Sequence, residues 1–566
     1  MKQFDSLAQV YQYATCEYSS RRANMMSDGK GGYTYNEFRN VCNHVSDLLS
    51  SYGIGSGDKV ALLSGSTPNW SLAFFATVAF GRVSVPILPD FSENEVSNVL
   101  SHSESKALFI SDRLLGKVSE QYLKQLHLII DINTLKPIYV DGQAVEPTAM
   151  GSQSAELTTP GPDSIAALIY TSGTTGKAKG VMLSHRNFTN NIAGAFNFYA
   201  ITPEDVFLSV LPLAHTYELS IGLIYPFAGG ACVAYMTKKP TPSALKEAMP
   251  IVRPTTMLTV PLIIEKVYKG VVIPKVRKSK TLSWMNKHAN KMFCKMAGKE
   301  ILRYFGGRLK FFGIGGAPLD KDVESFLYKA RFPYYIGYGL TECAPMLTGC
   351  SFKNTKPGCI GFPFLGMDVK LHNVNPETGE GEIVAKGPNV MMGYYKDPER
   401  TKEAFTEDGY FRTNDLASVD EKGRFRIKGR LNNMILGPSG ENIYPEEIEQ
   451  VINTISGVNE SLVVERNGKL VALVKFDDNV LDWNQQREDK FFDNLQSMKQ
   501  AVLEYVNKHV SKQSKIGEVE AMKEDFEKTA THKIRRFKYK EGAQKTGEGA
   551  SQDSENKPED KASSQK

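Results

Sequence analysis

The sequence predicts an α/β protein, with a large N-terminal α/β domain followed by a small α+β domain. Three observations carry this expectation. In the first third, strand-length apolar runs alternate with helix-period segments in the order strand, helix, strand, which suggests βαβ units and a parallel sheet. After Gly423 the character changes, and Gly and Pro breakers become frequent. The 566 residues, 41 % of them hydrophobic, are enough for roughly two to four domains around a large core.

The elements follow in order. Thr34 and Glu37 have capping-box spacing, and Phe38, Val41, Val45, Leu48 and Leu49 then recur at helical spacing until Gly53. Val60 to Leu63 reads as a buried strand, about Trp70 to Phe80 as a helix closed by Gly81, and Val83 to Leu88 as a second strand. The Gly-, Ser-, Thr-, Pro- and Gln-rich stretch from about Asp141 to Ser164 reads as a surface connection. Further strands are expected at Ala166 to Tyr170, Val181 to Leu183, Leu309 to Ile314 and the segment ending at Gly337. In the small domain a helix spans about Pro445 to Ile455. Two apolar runs then flank Arg466-Asn467-Gly468, an Asn-Gly hairpin signal. Residues Glu541 to Lys566 contain no Val, Ile, Leu, Met or aromatic residue, so this tail is expected to be disordered.

Composition excludes several classes. A formal charge of +5, from 68 basic and 63 acidic residues, is too weak to imply a nucleic-acid partner. No apolar run is long enough for a transmembrane helix, and the N-terminal stretch lacks the apolar core of a signal peptide. Seven Cys without a CxxC motif fit free thiols in a reducing cytoplasm. The distribution of charge says more than its sum. Between Lys266 and Lys310 there are thirteen Lys/Arg against one acid, Glu300. Lys287, Lys291, Lys295 and Lys299 recur every four residues, with Leu282, Met285, Ala289, Met292, Phe293 and Met296 as an apolar stripe. Like charges at that spacing weaken an isolated helix by roughly a few tenths of a kcal/mol per pair. Peripheral contact with an acidic membrane at its inner face would relieve the repulsion. A docked helix whose basic face is solvated, or faces the phosphates of an anionic cosubstrate, fits equally well.

The most informative segment is Ile169 to His185. After a strand come Thr171, Ser172, Gly173, Thr174, Thr175, Gly176 and Lys177, with Lys179 and Gly180 beyond. Glycines let the backbone turn tightly, and successive N–H groups and hydroxyls can surround phosphate oxygens. The spacing is not that of a Walker A loop, and a strand-like run follows instead of a helix. Taken alone, a Ser/Thr/Gly-rich hairpin turn in solvent would look the same.

This segment resembles the signature phosphate loop of the acyl-adenylate-forming superfamily, and the resemblance runs over about residues 1–540 with further motifs in order. It is most like the long-chain fatty acyl-CoA synthetases. The resemblance implies a large domain, residues 1–429, with doubly wound sheets and a small barrel-like subdomain. A hinge at 430–432 and a mobile C-terminal domain at 433–540 would follow. It also implies ATP, Mg²⁺ and CoA, and a reaction in which a fatty acid is converted to an acyl-adenylate and then to a thioester. By resemblance, Gly316, Ala317 and Pro318 line the adenine pocket. Tyr338 and Gly339 precede Thr341 and Glu342, which bring an aromatic face, a hydroxyl and a carboxylate together. Tyr338 can stack on adenine, Thr341 can bond the α-phosphate, and Glu342 can hold Mg²⁺.

Asp415 and Arg430 match the ribose-contacting positions. Asn414 stands where the family usually has Gly, and Asn tolerates positive φ next best. Asn432 falls at the hinge, Gly440 at the thiol tunnel, and Lys533 at the catalytic lysine, with His532 in place of the usual Gly. His215 and Tyr217 match the motif flanking the acyl pocket. No Asp occurs between Leu211 and Gly229 to pair a substrate ammonium, which points to a plain carboxylic acid. Two other readings stay open: an acyl-AMP ligase that loads a carrier protein, and a nucleotide- or acyl-binding scaffold with weakened catalysis. A homodimer is also left open.

Overall fold

The computed structural model describes residues 3–145, 159–171, 179–436, 442–478, 480–481, 483, 489–529 and 533–540. The expected disordered tail and most of the phosphate loop lie outside them. The chain divides into two compact units. The larger comprises Met1–Ile435 together with Asn442–Gln450 and Thr529–Lys533, two segments that the sequence assigns to the small domain. The smaller is centred on Val451–Lys528. Local bonding accounts for part of the first segment's placement, since the Tyr444 hydroxyl donates to Glu380 at 3.0 Å and Asn433 donates to Glu446 at 2.6 Å.

Two large mixed sheets build the larger unit. In the nine-stranded one, Lys59–Leu63 lies between Val83–Ile87 and Ala107–Ile110, all parallel. Val83–Ile87 leads to an antiparallel pair, Ile165–Thr171 and Lys179–Ser184, and Gly393–Tyr394 pairs with the latter. In the eight-stranded sheet, Val206–Ser209, Thr256–Thr259, Phe311–Ile314 and Tyr334–Gly339 run parallel in that order, followed by antiparallel Met346–Ser351. A four-stranded antiparallel sheet runs from Asp368–His372 to Phe425–Arg430.

The local signals act as their chemistry requires. Thr34 Oγ1 accepts from Glu37 N at 3.2 Å, and Glu37 Oε2 accepts from Thr34 N at 2.8 Å, so a reciprocal box starts the helix Tyr35–Ser51. Such a cap contributes about 1 kcal/mol. The next helix is Pro68–Val78, shifted toward the N-terminus from the expected span. The Thr67 hydroxyl caps it, and Pro68 presets φ in the first turn. Its buried residues point all round, because it touches strands of both large sheets. Phe75 stacks on Phe227 with ring centroids 4.3 Å apart. Each aromatic buried in this way contributes roughly 1.5–3 kcal/mol.

In the smaller unit, Val458–Arg466 and Lys469–Phe476 form the expected hairpin, with Arg466 opposite Lys469. Asn467 and Gly468, at φ 52° and 72°, supply the two left-handed positions such a turn needs.

The basic segment differs from its reading as one stripe. The helix breaks at Ala289 (φ −130°, ψ 42°) into Lys280–His288 and Asn290–Tyr304. The break shifts the phase, so Met285 and Phe293 are buried while Met292 and Met296 face solvent. Among the described residues, no helix is long and apolar enough to cross a membrane.

Candidate active site

The motif loops follow the carboxyl ends of three of the four parallel strands Val206–Ser209, Thr256–Thr259, Phe311–Ile314 and Tyr334–Gly339, where parallel sheets form their ligand sites. His215 follows Val206–Ser209, Gly316-Ala317-Pro318 follows Phe311–Ile314, and Thr341 and Glu342 follow Tyr334–Gly339. Gly316 takes φ 84°, and its loop is exposed. Gly339 is dictated by packing, since a Cβ there would sit 1.8 Å from the Pro345 carbonyl oxygen. That close approach lets Leu340 N donate to the same oxygen at 3.0 Å and sets the short turn Thr341–Cys343.

Glu342 is fixed from two sides. Its Oε1 accepts from the Tyr394 hydroxyl at 3.0 Å, and its backbone carbonyl accepts from Met391 N at 2.8 Å. Burial, then the Glu342 charge, push the Tyr394 hydroxyl well above its usual pKa. Lys179 Nζ lies 5.2 Å from the Tyr394 ring centroid. Thr171 and Lys179 are paired across the strand ladder on either side of the phosphate loop. Tyr394 therefore links the loop's base to Glu342. Sequence reasoning misses Tyr394, because a two-residue strand has no periodicity and its partner lies far away in the chain.

A second cluster stands on the four-stranded sheet. Asp415 is buried, and one oxygen accepts from the Tyr338 hydroxyl at 2.7 Å while the other pairs with Arg430 Nε at 3.2 Å. Asp415 and Arg430 are cross-strand partners, so their meeting is built into the register. Burial raises the Asp415 pKa, against the opposing pull of Arg430 and Tyr338. Asn414 has φ 58°, the left-handed turn expected of the residue replacing Gly, and its N–H donates to Glu382 Oε1 at 3.1 Å.

Lys533 is exposed as a residue, yet its ammonium is partly desolvated. Desolvation and then Arg430 lower its pKa, while Asp415 and Glu342 hold it up. Lys533 thus shares one electrostatic environment with both carboxylates. His215 and the Gly316–Pro318 loop are related to these groups through the shared sheet edge. Asn432 is exposed in the short turn Leu431–Asn433. Ser172, Gly173, Thr174, Thr175, Gly176, Lys177 and Gly440 lie outside the described residues.

Behind the strands is an apolar cavity of about 30 Å³, walled by Tyr199, Tyr217, Phe311, Tyr335, Gly337 and Met346 among others. Glycines thin its wall, as a Cβ on Gly313 would lie 2.7 Å from the Tyr217 hydroxyl. A second recess of about 120 Å³ shares Phe198 and Phe364 with it. For magnesium, the chemistry of the donors fits. Among the described residues no group of three His, Cys, Asp or Glu could cage a metal. The single Glu342 carboxylate suits an ion held mainly by phosphate oxygens and water.

The profile of a family described as AMP-binding enzyme matches residues 13–395. The peroxisomal long chain acyl-CoA synthetase 7 of Arabidopsis thaliana is 30 % identical over 525 residues, covering 84 % of this chain and 73 % of that one. The long-chain-fatty-acid–CoA ligase FadD15 of Mycobacterium bovis is 29 % identical over 480 residues, covering 78 % and 77 %. Among solved structures, ATP-bound MatB from Rhodopseudomonas palustris superposes with a TM-score of 0.74 at 25 % identity, covering 94 % and 98 %.

Proposed function

The chain belongs to the AMP-binding enzyme family, and from that premise we propose that it activates a fatty acid with ATP and passes the acyl group to CoA, long-chain acids being its substrates. One observation carries the reading: Lys533 lies in the field of both Glu342 and Asp415, with Arg430 beside it. The apolar, glycine-thinned cavity and the relatives' names support a fatty acid and CoA.

In the first step a carboxylate oxygen attacks the α-phosphorus of ATP. The bond to pyrophosphate breaks and acyl-AMP forms. Two anions must approach, so neutralising charge dominates the barrier. Lys533 bridges the carboxylate and the α-phosphate, and Thr341 donates to the phosphate. Thr171 to Lys177 hold the polyphosphate. Magnesium, when bound, would add charge neutralisation at Glu342 and the phosphates. Asp415 and Arg430 hold the ribose, Gly316-Ala317-Pro318 and Tyr338 hold adenine, and His215 borders the acid. In the second step a CoA thiolate attacks the acyl carbonyl and AMP leaves with the bonding pair. Gly440 gives the thiol arm passage, and the turn at Asn432 lets residues 433–540 change place between steps.

Pyrophosphate release should be followed with octanoate, laurate, palmitate and stearate, with and without CoA, for the wild type and Lys533→Ala. We expect CoA-stimulated turnover, strongest with the longer acids, reduced at least about 100-fold in the variant. Transfer to an acyl carrier but not to CoA, or labelled-ATP binding with no turnover of any acid, would sink the proposal in favour of a carrier-loading ligase or a scaffold.

A further inference from the structure

We propose that the helices between Lys266 and Lys310 form a docking face for the anionic surface of a lipid bilayer. The face combines two features that seldom coincide on a merely solvated helix. The first is unneutralised charge. Of the thirteen basic residues, Lys275 and Arg303 share Glu300, and Lys310 pairs with Asp205 at 3.3 Å. Among the described residues, no carboxylate lies within ion-pair distance of Lys278, Lys280, Lys287, Lys291, Lys295 or Lys299. The second is exposed apolar surface within that field. Trp284 is 59 % exposed, Met292 56 % and Met296 46 %.

The break at Ala289 produces this arrangement. It turns Met292 and Met296, one helical turn apart, to the outside beside exposed Lys291, Lys295 and Lys299. Trp284 sits in the preceding helix, with its ring tilted against His288 at 5.4 Å between centroids.

The chemistry fits lipid on both counts. Lysines attract an anionic leaflet, with a range set by the Debye length. A tryptophan belongs at headgroup depth, and the thioethers can enter the acyl boundary. An acidic protein face would match the charge, but lysine is depleted at protein interfaces, and all six of the unpaired cations named above are Lys. The location also suits the proposed reaction, whose acid dissolves in membranes, but docking does not depend on it.

The full-length chain should be mixed with phosphatidylcholine vesicles, with and without phosphatidylglycerol, at low and high salt. Of the three tryptophans, Trp70 is fully buried and Trp483 is half-buried, so the part of the emission change that a Trp284→Phe control loses reports Trp284. Expected are co-sedimentation with anionic vesicles only, reversal by high salt, and a blue shift in emission. The triple variant Lys291→Glu, Lys295→Glu, Lys299→Glu should lose at least about tenfold in partitioning. The double variant Met292→Ser, Met296→Ser should weaken binding but keep its salt dependence. An unchanged thermal midpoint in both variants shows that the fold is intact. No binding to anionic vesicles at low salt, equal binding to neutral ones, or binding without any shift in Trp emission would each overturn the proposal. Acid activation is read separately, so its success or failure leaves this test intact.

Discussion

Glu218 shows how one side chain can set a property of the fold. It opens the π-helical turn Glu218–Ile224, is 1 % exposed, and its Oε2 has no hydrogen-bond partner among the described residues. Gly222 makes room for it, since a Cβ there would lie 2.6 Å from the Glu218 carboxyl carbon. Burial pushes its pKa from the usual 4.5 to about 8. The folded state therefore holds a proton that the unfolded state has released. Stability should fall as pH rises from 4.5 to about 8 and level off above. Glu218→Gln, neutral throughout, should escape this loss, with an advantage over wild type on the order of 5 kcal/mol above pH 8 that vanishes near pH 4.5. Thermal melts of both proteins across that range check it, and parallel curves would refute it. His185 acts at the opposite end of the scale. Burial lowers its pKa to about 4, and its Nδ1 accepts from Leu7 N at 3.1 Å. Its share of stability is complete above its unfolded pKa and drains away as pH falls toward 4.

At the scale of elements, the strands behind the motif loops set the size of the apolar cavity, which the proposed function makes the start of the acyl path. Gly337, on Tyr334–Gly339, lines the cavity, and a Cβ there would meet only the Met346 side chain, its methyl at 2.9 Å. That methyl can swing aside, so Gly337→Val should fold and fill the space. We expect kcat/KM for palmitate to fall at least about tenfold more than for octanoate. An equal drop for both would remove the cavity from the acyl path.

Elements with strong local chemistry are legible in the sequence: the Thr34 capping box, the Asn467-Gly468 hairpin, and the loops after Phe311–Ile314 and Tyr334–Gly339. Contacts set by tertiary packing are not. Tyr394 meets Glu342 only because Gly393–Tyr394 pairs with Lys179–Ser184. Met292 and Met296 face outward because of a break that no Gly or Pro announces. The helix Pro68–Val78 starts earlier than its apolar run suggests, because Thr67 and Pro68 supply its cap and first turn.

For the molecule as a whole, the division into units falls close to, but not on, the expected hinge. The larger unit runs to Ile435, and it holds Lys533. The proposed two-step reaction asks the segment around Asn432 to change conformation between steps. Proline there fixes φ near −65° and removes an N–H. Asn432→Pro should slow the thioester step at least about tenfold while adenylate formation without CoA stays within about twofold. Stopped reactions that count acyl-AMP and acyl-CoA separately decide the matter. Equal slowing of both steps would place the moving joint elsewhere.

The Asp415 arrangement also bears on how strict the nucleotide site is. A site discriminates sharply when the wrong ligand strands a buried polar group, because that group's lost hydration is never recovered. Here one Asp415 oxygen already has Tyr338 and the other has Arg430. A sugar lacking a hydroxyl would forgo a bond without leaving either oxygen bare. With Asp415 in its proposed ribose-contacting role, such a pocket would reward ribose without strongly penalising deoxyribose. On that proposal the preference for the correct sugar would rest on the added hydrogen bond alone, which makes for a lenient site.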